Sequence, residues 1–595
     1  AVRHIKHCVD EGLDLPLEQA LALERDYWAG LIPYRDYLEG VQAWLEKRLP
    51  DFPDVPAPRW RQPCNGTMPV HQRPAMPAAA QLQLTSVPCR YLLKRHALER
   101  AGKTAIIDGV TGEAISYGEL HERVMRMAGW LASHGIGTGD RVACLALNSK
   151  AYTEFFLALS WLGAVLVPLN IRHAAPELRF IIEDAGARAC FSCSKMASLA
   201  EAALDGNETV ELKILHGATR AGWTDFNALT GPANPMLEME PSVSGESLFM
   251  LLYTSGTTGK PKGCMIPQRT WTGYAANMAA CFRMGETYVY LAFLPYFHVA
   301  GFGTALSQLI LGGTIVTAPL ADPKLFYRLI AEHRVSIVFL VPGISAAFIA
   351  DQSRAATDTS SLRTFISGAG VEKLNFAEAL EAQLGAKYYG IYGQTEAGGK
   401  VTWADSRMLR DDPTTYGHVM PFCDYMLADD DDHDVPPGAI GELCVRSSTV
   451  MLGYWNHPAA TAETLKNDWH HTGDLFVQLA NGQVKMVDRK KYLIKTGGEN
   501  VYPQEVEQVL LRHEAVEEAA VIGIPDERWG EAVTAFIVLK PGHEMTRAAI
   551  ADWVGAHIAG YKKPRYVEFV AALPRNVSGK VLKSELASYT AGSTS

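Results

Sequence analysis

The run YTSGTTGKPKG, Tyr253 to Gly263, constrains this 595-residue chain more than any other segment. The apolar residues LFMLL just before it make a strand, and the run then gathers three glycines, four hydroxyl residues and two lysines. Glycines let backbone N–H groups come close to phosphate oxygens, while hydroxyl and ammonium groups add further donors. The run is not a loop of the GxxxxGK[ST] form, because Pro261 follows Lys260. A bare glycine-rich loop would suit a surface turn equally well. The full string is far more specific.

Around it, strand and helix signals alternate. RVACLAL (Arg141 to Leu147) reads as a strand, a helix follows from about Lys150, and AVLVPL reads as the next strand. Ser116 and Glu119 form an S-x-x-E capping box. Tyr117, Leu120, Val124, Met127 and Leu131 then recur at helical spacing, with Gly135 as the stop. Such repeats imply an α/β fold, with largely parallel sheets covered by helices. Near Asp488 the texture changes. AAVIGI, VTAFIVL and YVEFV, set among short helices, point to a smaller α+β C-terminal domain. Nine of the 32 prolines fall between Pro50 and Pro88, in stretches such as DVPAPRWRQP that no helix or central strand tolerates. The expected division is a short helical segment over 1–50, a proline-rich linker over 51–85, a main body over 86–488 and a C-terminal domain over 489–590.

A net charge of −10 argues against nucleic-acid or anionic-membrane partners. The longest apolar stretch, Phe155 to Leu169, is broken by Gly163 and Pro168, so it reads as a buried helix running into a strand rather than a membrane span. Ala1 to Glu11 is polar, unlike a signal peptide. Ten cysteines are scattered, and Cys190 with Cys193 lacks the second half of a zinc site, so both are expected to be buried thiols in a reducing cytoplasm. The acidic run Asp429 to Asp432 reads as a solvated hairpin loop.

Further strings follow in order: LPYFHVAG (Leu294 to Gly301), YGQTEAG (Tyr392 to Gly398), HTGDL (His471 to Leu475), VDRKKYLIKTGGENVYPQEVE (Val487 to Glu507) and PRNVSGKVLK (Pro574 to Lys583). With the glycine loop they resemble the motifs of the adenylate-forming superfamily of acyl-CoA synthetases, luciferases and peptide-synthetase adenylation domains, over residues 86–590. The resemblance implies ATP-dependent activation of a small carboxylic acid, fatty or branched or else aryl or arylpropenoic, as acyl-AMP. Transfer to coenzyme A follows, with release of AMP and pyrophosphate.

The resemblance also implies roles. Two anions must meet, so neutralisation and positioning are the main tasks of such a site. Thr254, Ser255, Gly256, Thr257, Thr258, Gly259 and Lys260 would form the phosphate cradle. Glu396 would hold Mg2+, which takes only one or two protein carboxylates, and Thr395 would donate to the phosphate. Tyr392, beside Gly393, would stack on the adenine, and Gly368 and Ala369 of SGAG would border it, although that string matches the family's adenine-side loop only loosely. Asp474 and Arg489 would bind the ribose, and Lys580 would bridge the acid and the α-phosphate. Lys491 marks the hinge about which the small domain swings between the two half-reactions, and Gly497 and Gly498 line the pantetheine tunnel. Tyr492 stands where acidic residues are common in the family. His298 borders the acyl pocket and gates the tunnel, rather than acting as a general base.

Residues 1–50 differ. DLPLEQALALERDYWAGLIPYRDYLEGVQAWLEKRLPDF resembles the C-terminal helices of crotonases (enoyl-CoA hydratase/isomerase proteins), without that fold's oxyanion-hole loops. This suggests a relic or part of a fused hydratase–ligase, or an associated crotonase; an amphipathic extension is the plainer reading. Three other functions share these features. They are an adenylation enzyme loading a separate carrier protein, a luciferase-like oxygenase, and a non-catalytic scaffold for a crotonase. No carrier-type serine motif follows Lys583, which favours free coenzyme A. A homodimer is the default expectation for assembly.

Overall fold

The computed structural model describes residues 88–590, apart from 241, 255–260, 320–321, 369–373 and 576–580. The expected helical segment over 1–50 and the linker over 51–85 lie outside the described residues. The body is α/β, with two large sheets, and a smaller domain follows it.

The first sheet runs Thr224–Asp225, Leu212–His216, Ala189–Cys193, Arg141–Leu145, Val165–Pro168, Leu248–Thr254, Lys262–Pro267. Its strands pair parallel until the last, which folds back antiparallel on Leu248–Thr254 with Thr254 opposite Lys262. The ends of the glycine-rich run are thus pinned by one β-hairpin. In the second sheet, Lys387–Tyr392, Thr364–Gly368, Ile337–Leu340, Val289–Ala292, Thr314–Thr317 and Thr104–Asp108 form a parallel centre with antiparallel edges.

Helices fill the space between, for legible reasons. Ser116 accepts from the Glu119 N–H while the Glu119 carboxylate accepts from the Ser116 N–H, starting Tyr117–Ser133. Ser149 caps Lys150–Leu162, which ends on Gly163 with φ 81. Every residue of that second helix is buried, including Glu154, whose carboxylate takes a bidentate pair of bonds from Arg123 at 2.8 and 2.9 Å. Such a carboxylate is tolerable in a core only because it is paired. One continuous apolar core, with Phe155, Phe156, Trp161, Trp271 and Phe302 at 0% exposure, joins both parallel sheets. Cys190 and Cys193 are free and buried on a central strand, as expected.

A third, antiparallel sheet contains Cys423–Ala428, Ile440–Ser447, Trp469–Gln478 and Val484–Arg489. The acidic run forms the turn between its first two strands and is solvated as expected: Asp429, Asp430 and Asp431 are exposed, and Asp430 meets Lys490 Nζ at 3.1 Å only as a surface pair. The fourth sheet, of Ile494–Thr496, Glu499–Val501, Val516–Asp526, Gly530–Leu539 and Tyr566–Phe569, carries Pro503–Leu510 and Arg547–His557 on a separate apolar cluster. Among the described residues no helix is long and apolar enough to cross a membrane.

Candidate functional site

Asp474 is the hub. It lies on Trp469–Gln478, directly opposite Arg489 in the antiparallel register, and is 1% exposed. Its Oδ1 lies 3.2 Å from Arg489 Nε. Its Oδ2 accepts from Tyr392 Oη at 2.5 Å and from Gln394 Nε2 at 2.6 Å. Gln394 Nε2 also reaches the Thr472 carbonyl at 2.8 Å. Three sequence strings more than eighty residues apart at their extremes therefore meet at one carboxylate. Three charge-assisted contacts of this kind offset the cost of burying it. Burial, then the charge of Asp474, push the Tyr392 hydroxyl well above its usual pKa, so the phenol stays protonated and donating. The Tyr392 ring packs against Phe476 (centroids 5.2 Å apart) and Tyr416 (5.9 Å).

The turn after Tyr392 is held close to its surroundings. A Cβ on Gly393 would stand 2.1 Å from the Gly399 carbonyl oxygen, so only glycine fits there. Glu396 follows within this turn. Its carbonyl accepts from the Met451 N–H at 3.0 Å, and its Oε1 accepts from Tyr454 Oη at 2.9 Å. Tyr454 lies 5.4 Å under Lys262 Nζ, and Cys264 forms a β-bridge with Tyr454. Cys264 Sγ is 3.9 Å from Thr254 Oγ1; burial and then the Glu396 charge hold its thiol protonated. Glu396 and Thr254, far apart in sequence, thus share one neighbourhood through Cys264. Thr395 lies one residue earlier, and its carbonyl accepts from the Gly398 N–H.

His298 sits on the other side of that turn, as N-cap of Val299–Ile310. Asn148 holds this segment: its Nδ2 donates to the carbonyls of Ala292 and Leu294 at 3.0 and 2.8 Å, and its Oδ1 accepts from the Tyr296 N–H at 3.0 Å. The His298 residue keeps exposed surface yet is crowded by protein on most sides. Desolvation, then the charges of Arg172 and His173, bring its pKa down to about 4. A neutral imidazole agrees with a lining residue rather than a proton carrier.

Gly368 ends the strand Thr364–Gly368 beside Ile391 and Phe339. Lys491 is exposed in the short 3-10 turn Lys490–Tyr492. Just before that turn, Asp488 accepts from the Gln504 N–H at 2.7 Å. Gly497 and Gly498, at φ 59 and 86, make the tight turn between Ile494–Thr496 and Glu499–Val501, and the Gly497 N–H donates to the Trp529 carbonyl at 2.7 Å. Ser255, Gly256, Thr257, Thr258, Gly259, Lys260, Ala369 and Lys580 lie outside the described residues.

Sequence reasoning passed over Gln394, Tyr454 and Cys264. Gln394 was within a recognised string and could have been read as a side-chain amide aimed at Asp474. Tyr454 lies 58 positions from Glu396 in no motif, and only the fold brings the two together.

Residues 93–455 match the family model "AMP-binding enzyme", and residues 505–580 match "AMP-binding enzyme C-terminal domain". The chain is 36% identical to a feruloyl-CoA synthase of Amycolatopsis sp over 81% of its own length and 95% of the relative's. It is 33% identical to an indoleacetate–CoA ligase of Aromatoleum aromaticum, over 84% of this chain and 98% of that one. A solved fatty acyl CoA synthetase from Mycobacterium tuberculosis superposes with TM-score 0.71 at 30% identity, covering 84% of this chain and 98% of the other.

Proposed function

The chain belongs to the AMP-binding enzyme family, and from that premise we propose the part each of its residues plays. It is an AMP-forming acid–CoA ligase: a carboxylic acid and ATP give acyl-AMP and pyrophosphate, and coenzyme A then takes the acyl group as a thioester, releasing AMP.

The observation that carries the residue roles is the convergence of Tyr392, Gln394 and Arg489 on buried Asp474. A carboxylate already fixed by donors is preorganised to accept the two ribose hydroxyls, and Arg489 donates to the same sugar. Tyr392 offers its ring to the adenine, with Gly368, Ala369 and Gly393 leaving room beside it. Lys580 and the run from Thr254 to Lys260 neutralise the repulsion between the acid and the α-phosphate. Thr395 donates to the phosphate. Glu396 suits a magnesium ion by its chemistry: it is a hard carboxylate with one oxygen steadied by Tyr454, close to Cys264 and Thr254 at the ends of the glycine-rich run. When bound, the ion supplies further neutralisation of phosphate charge. His298 lines the acid's pocket and the entry of the thiol. Lys491 is the hinge between residues 86–488 and 489–590, and Gly497 and Gly498 line the path of the pantetheine arm.

Of the two classes the resemblance allows, fatty or branched and aryl or arylpropenoic, we favour the aryl class on the feruloyl and indoleacetate ligases among the relatives. The fatty class, represented by the fatty acyl CoA synthetase, is its rival. Pyrophosphate exchange into ATP over benzoates, cinnamates, arylacetates and medium-chain and branched acids tests this. Exchange with aryl acids, followed by thioester formation with coenzyme A, supports it. Exchange without any coenzyme A thioester assigns the acceptor to a carrier protein instead. No exchange with any acid removes the whole reading.

We assign the enzyme to the cytoplasm as a homodimer, with residues 1–50 as the trace of a fused or associated crotonase. A native precursor carrying a full crotonase domain before these residues supports the fusion. A native N-terminus near Met68 or Met76 removes it.

A further inference from the structure

Lys400 has no part in the roles above, although it directly follows the turn that carries Glu396. It is 4% exposed. Its ammonium donates to Tyr274 Oη and, at 3.3 Å, to Thr304 Oγ1. It also stands 3.7 Å from the centre of the Tyr274 ring and 5.1 Å from that of Phe339. The two hydroxyls are 3.1 Å apart, so they form one polar patch inside an aromatic wall that includes Trp271. Among the described residues no carboxylate lies against the ammonium. Burial drives its pKa well below the ordinary lysine value, with the Cys281 thiol as the opposing influence.

A buried lysine amine facing only hydroxyls and rings is a poor structural element, because a methionine of similar length would fill the space without desolvating a polar, ionisable group. Its location suggests a use. The adjacent Gly399 packs on Val299, the residue after His298, and Phe339 borders Gly368. The four-residue step from Glu396 cannot exceed roughly 14 Å of extended chain. That limit keeps Lys400 within reach of an acid held near Glu396. When protonated, the amine has three N–H donors, of which the hydroxyls of Tyr274 and Thr304 take two.

We propose that Lys400, with Tyr274 and Thr304, binds an oxygen at the far end of the acid, so that the enzyme selects acids bearing a second anionic or strongly hydrogen-bond-accepting oxygen. The shared chemistry is an oxygen acceptor, supplied either by a ring hydroxyl or by a second carboxylate. Sites built to hydrogen-bond such a group reject analogues that lack it, because the polar side chains are then left without a ligand. The inference rests on the acid–CoA ligase reading and names the class of acid within it.

The test uses paired acids of matched size: 4-hydroxycinnamate against 4-methylcinnamate, and hexanedioate against heptanoate. Two readouts are taken, kcat/KM in pyrophosphate exchange and the Kd of the corresponding acyl-sulfamoyl adenosines by calorimetry. The oxygen-bearing member of at least one pair is expected to be preferred about 10- to 100-fold, the range of a hydrogen bond to a charged group. The pair concerned tells the ring hydroxyl from the second carboxylate. Lys400→Met should erase that preference, and Tyr274→Phe and Thr304→Val should reduce it; these two also serve if the first variant does not fold. Equal Kd values within both pairs for the unaltered enzyme overturn the inference, as does a preference that survives Lys400→Met. A protein that activates no acid would instead remove the ligase reading, while the analogue Kd ratios would still report on Lys400.

Discussion

Asp474 and Lys400 show the same economy at the scale of a residue: a buried ionisable group is kept where a ligand would use it. Asp474 is satisfied by three protein groups, whereas Lys400 meets only hydroxyls and rings. His298 is the converse case, a titratable group held neutral. With its pKa at about 4, it carries no charge anywhere near neutrality. Its folded pKa lies below the unfolded value of about 6.5, so the unfolded chain binds the extra proton, and its contribution to stability declines as pH falls from there towards 4. NMR titration of the ring should give a midpoint near 4, and His298→Gln should leave the shape of the kcat/KM profile between pH 6 and 8 unchanged. A step near pH 6.5 that this variant abolishes would contradict a lining role. For Lys580, the expected effect of Lys580→Ala is a loss of adenylate formation by about two to four orders of magnitude, the scale on which removing a transition-state charge partner acts. Thioester formation from supplied acyl-AMP should be spared. Equal losses in both half-reactions, measured by single-turnover assays, would count against its assigned role.

Elements were read from the sequence where local chemistry decides them. Ser116 with Glu119, and the apolar residues at helical spacing behind them, foretold Tyr117–Ser133; the start at Lys150 and the strands of the C-terminal domain were equally plain. Ser116→Ala should destabilise the body by about 1 kcal/mol, the usual value of a lost N-cap, seen as a lower denaturation midpoint with unchanged slope. Boundaries were less legible. The strand expected to reach Leu147 stops at Leu145, because Asn148 turns the chain to bind the carbonyls of Ala292 and Leu294. That pairing spans more than a hundred residues and leaves no local trace. Tyr454 beneath Lys262, and Tyr274 beneath Lys400, escaped for the same reason. Motif strings mark the groups to which nucleotide roles are assigned, while the residues that contact those groups, such as Tyr454, come from elements whose sequence obeys only packing.

At the scale of the whole molecule, the two domains meet at a short stretch with opposed anchors. Asp488 is bonded to the Gln504 N–H, and Lys583 Nζ lies 2.6 Å from Glu507 and 5.0 Å from the Tyr492 ring, so both ends of the small domain close on the segment around Lys491. Fixing that segment should separate the half-reactions. Lys491→Pro, which removes a backbone donor and locks φ, is expected to keep pyrophosphate exchange while cutting thioester formation at least tenfold. Retention of both rates would move the pivot elsewhere. The cross-strand pair of Asp474 and Arg489 then acquires a meaning beyond sugar recognition, since Arg489 stands two positions ahead of Lys491. The proposed ribose, drawing on both side chains, would fasten the last rigid rung before the proposed swivel. On the roles proposed above, emptying that seat would slacken the rung, and nucleotide departure would be coupled to the proposed domain rotation like a latch and its door.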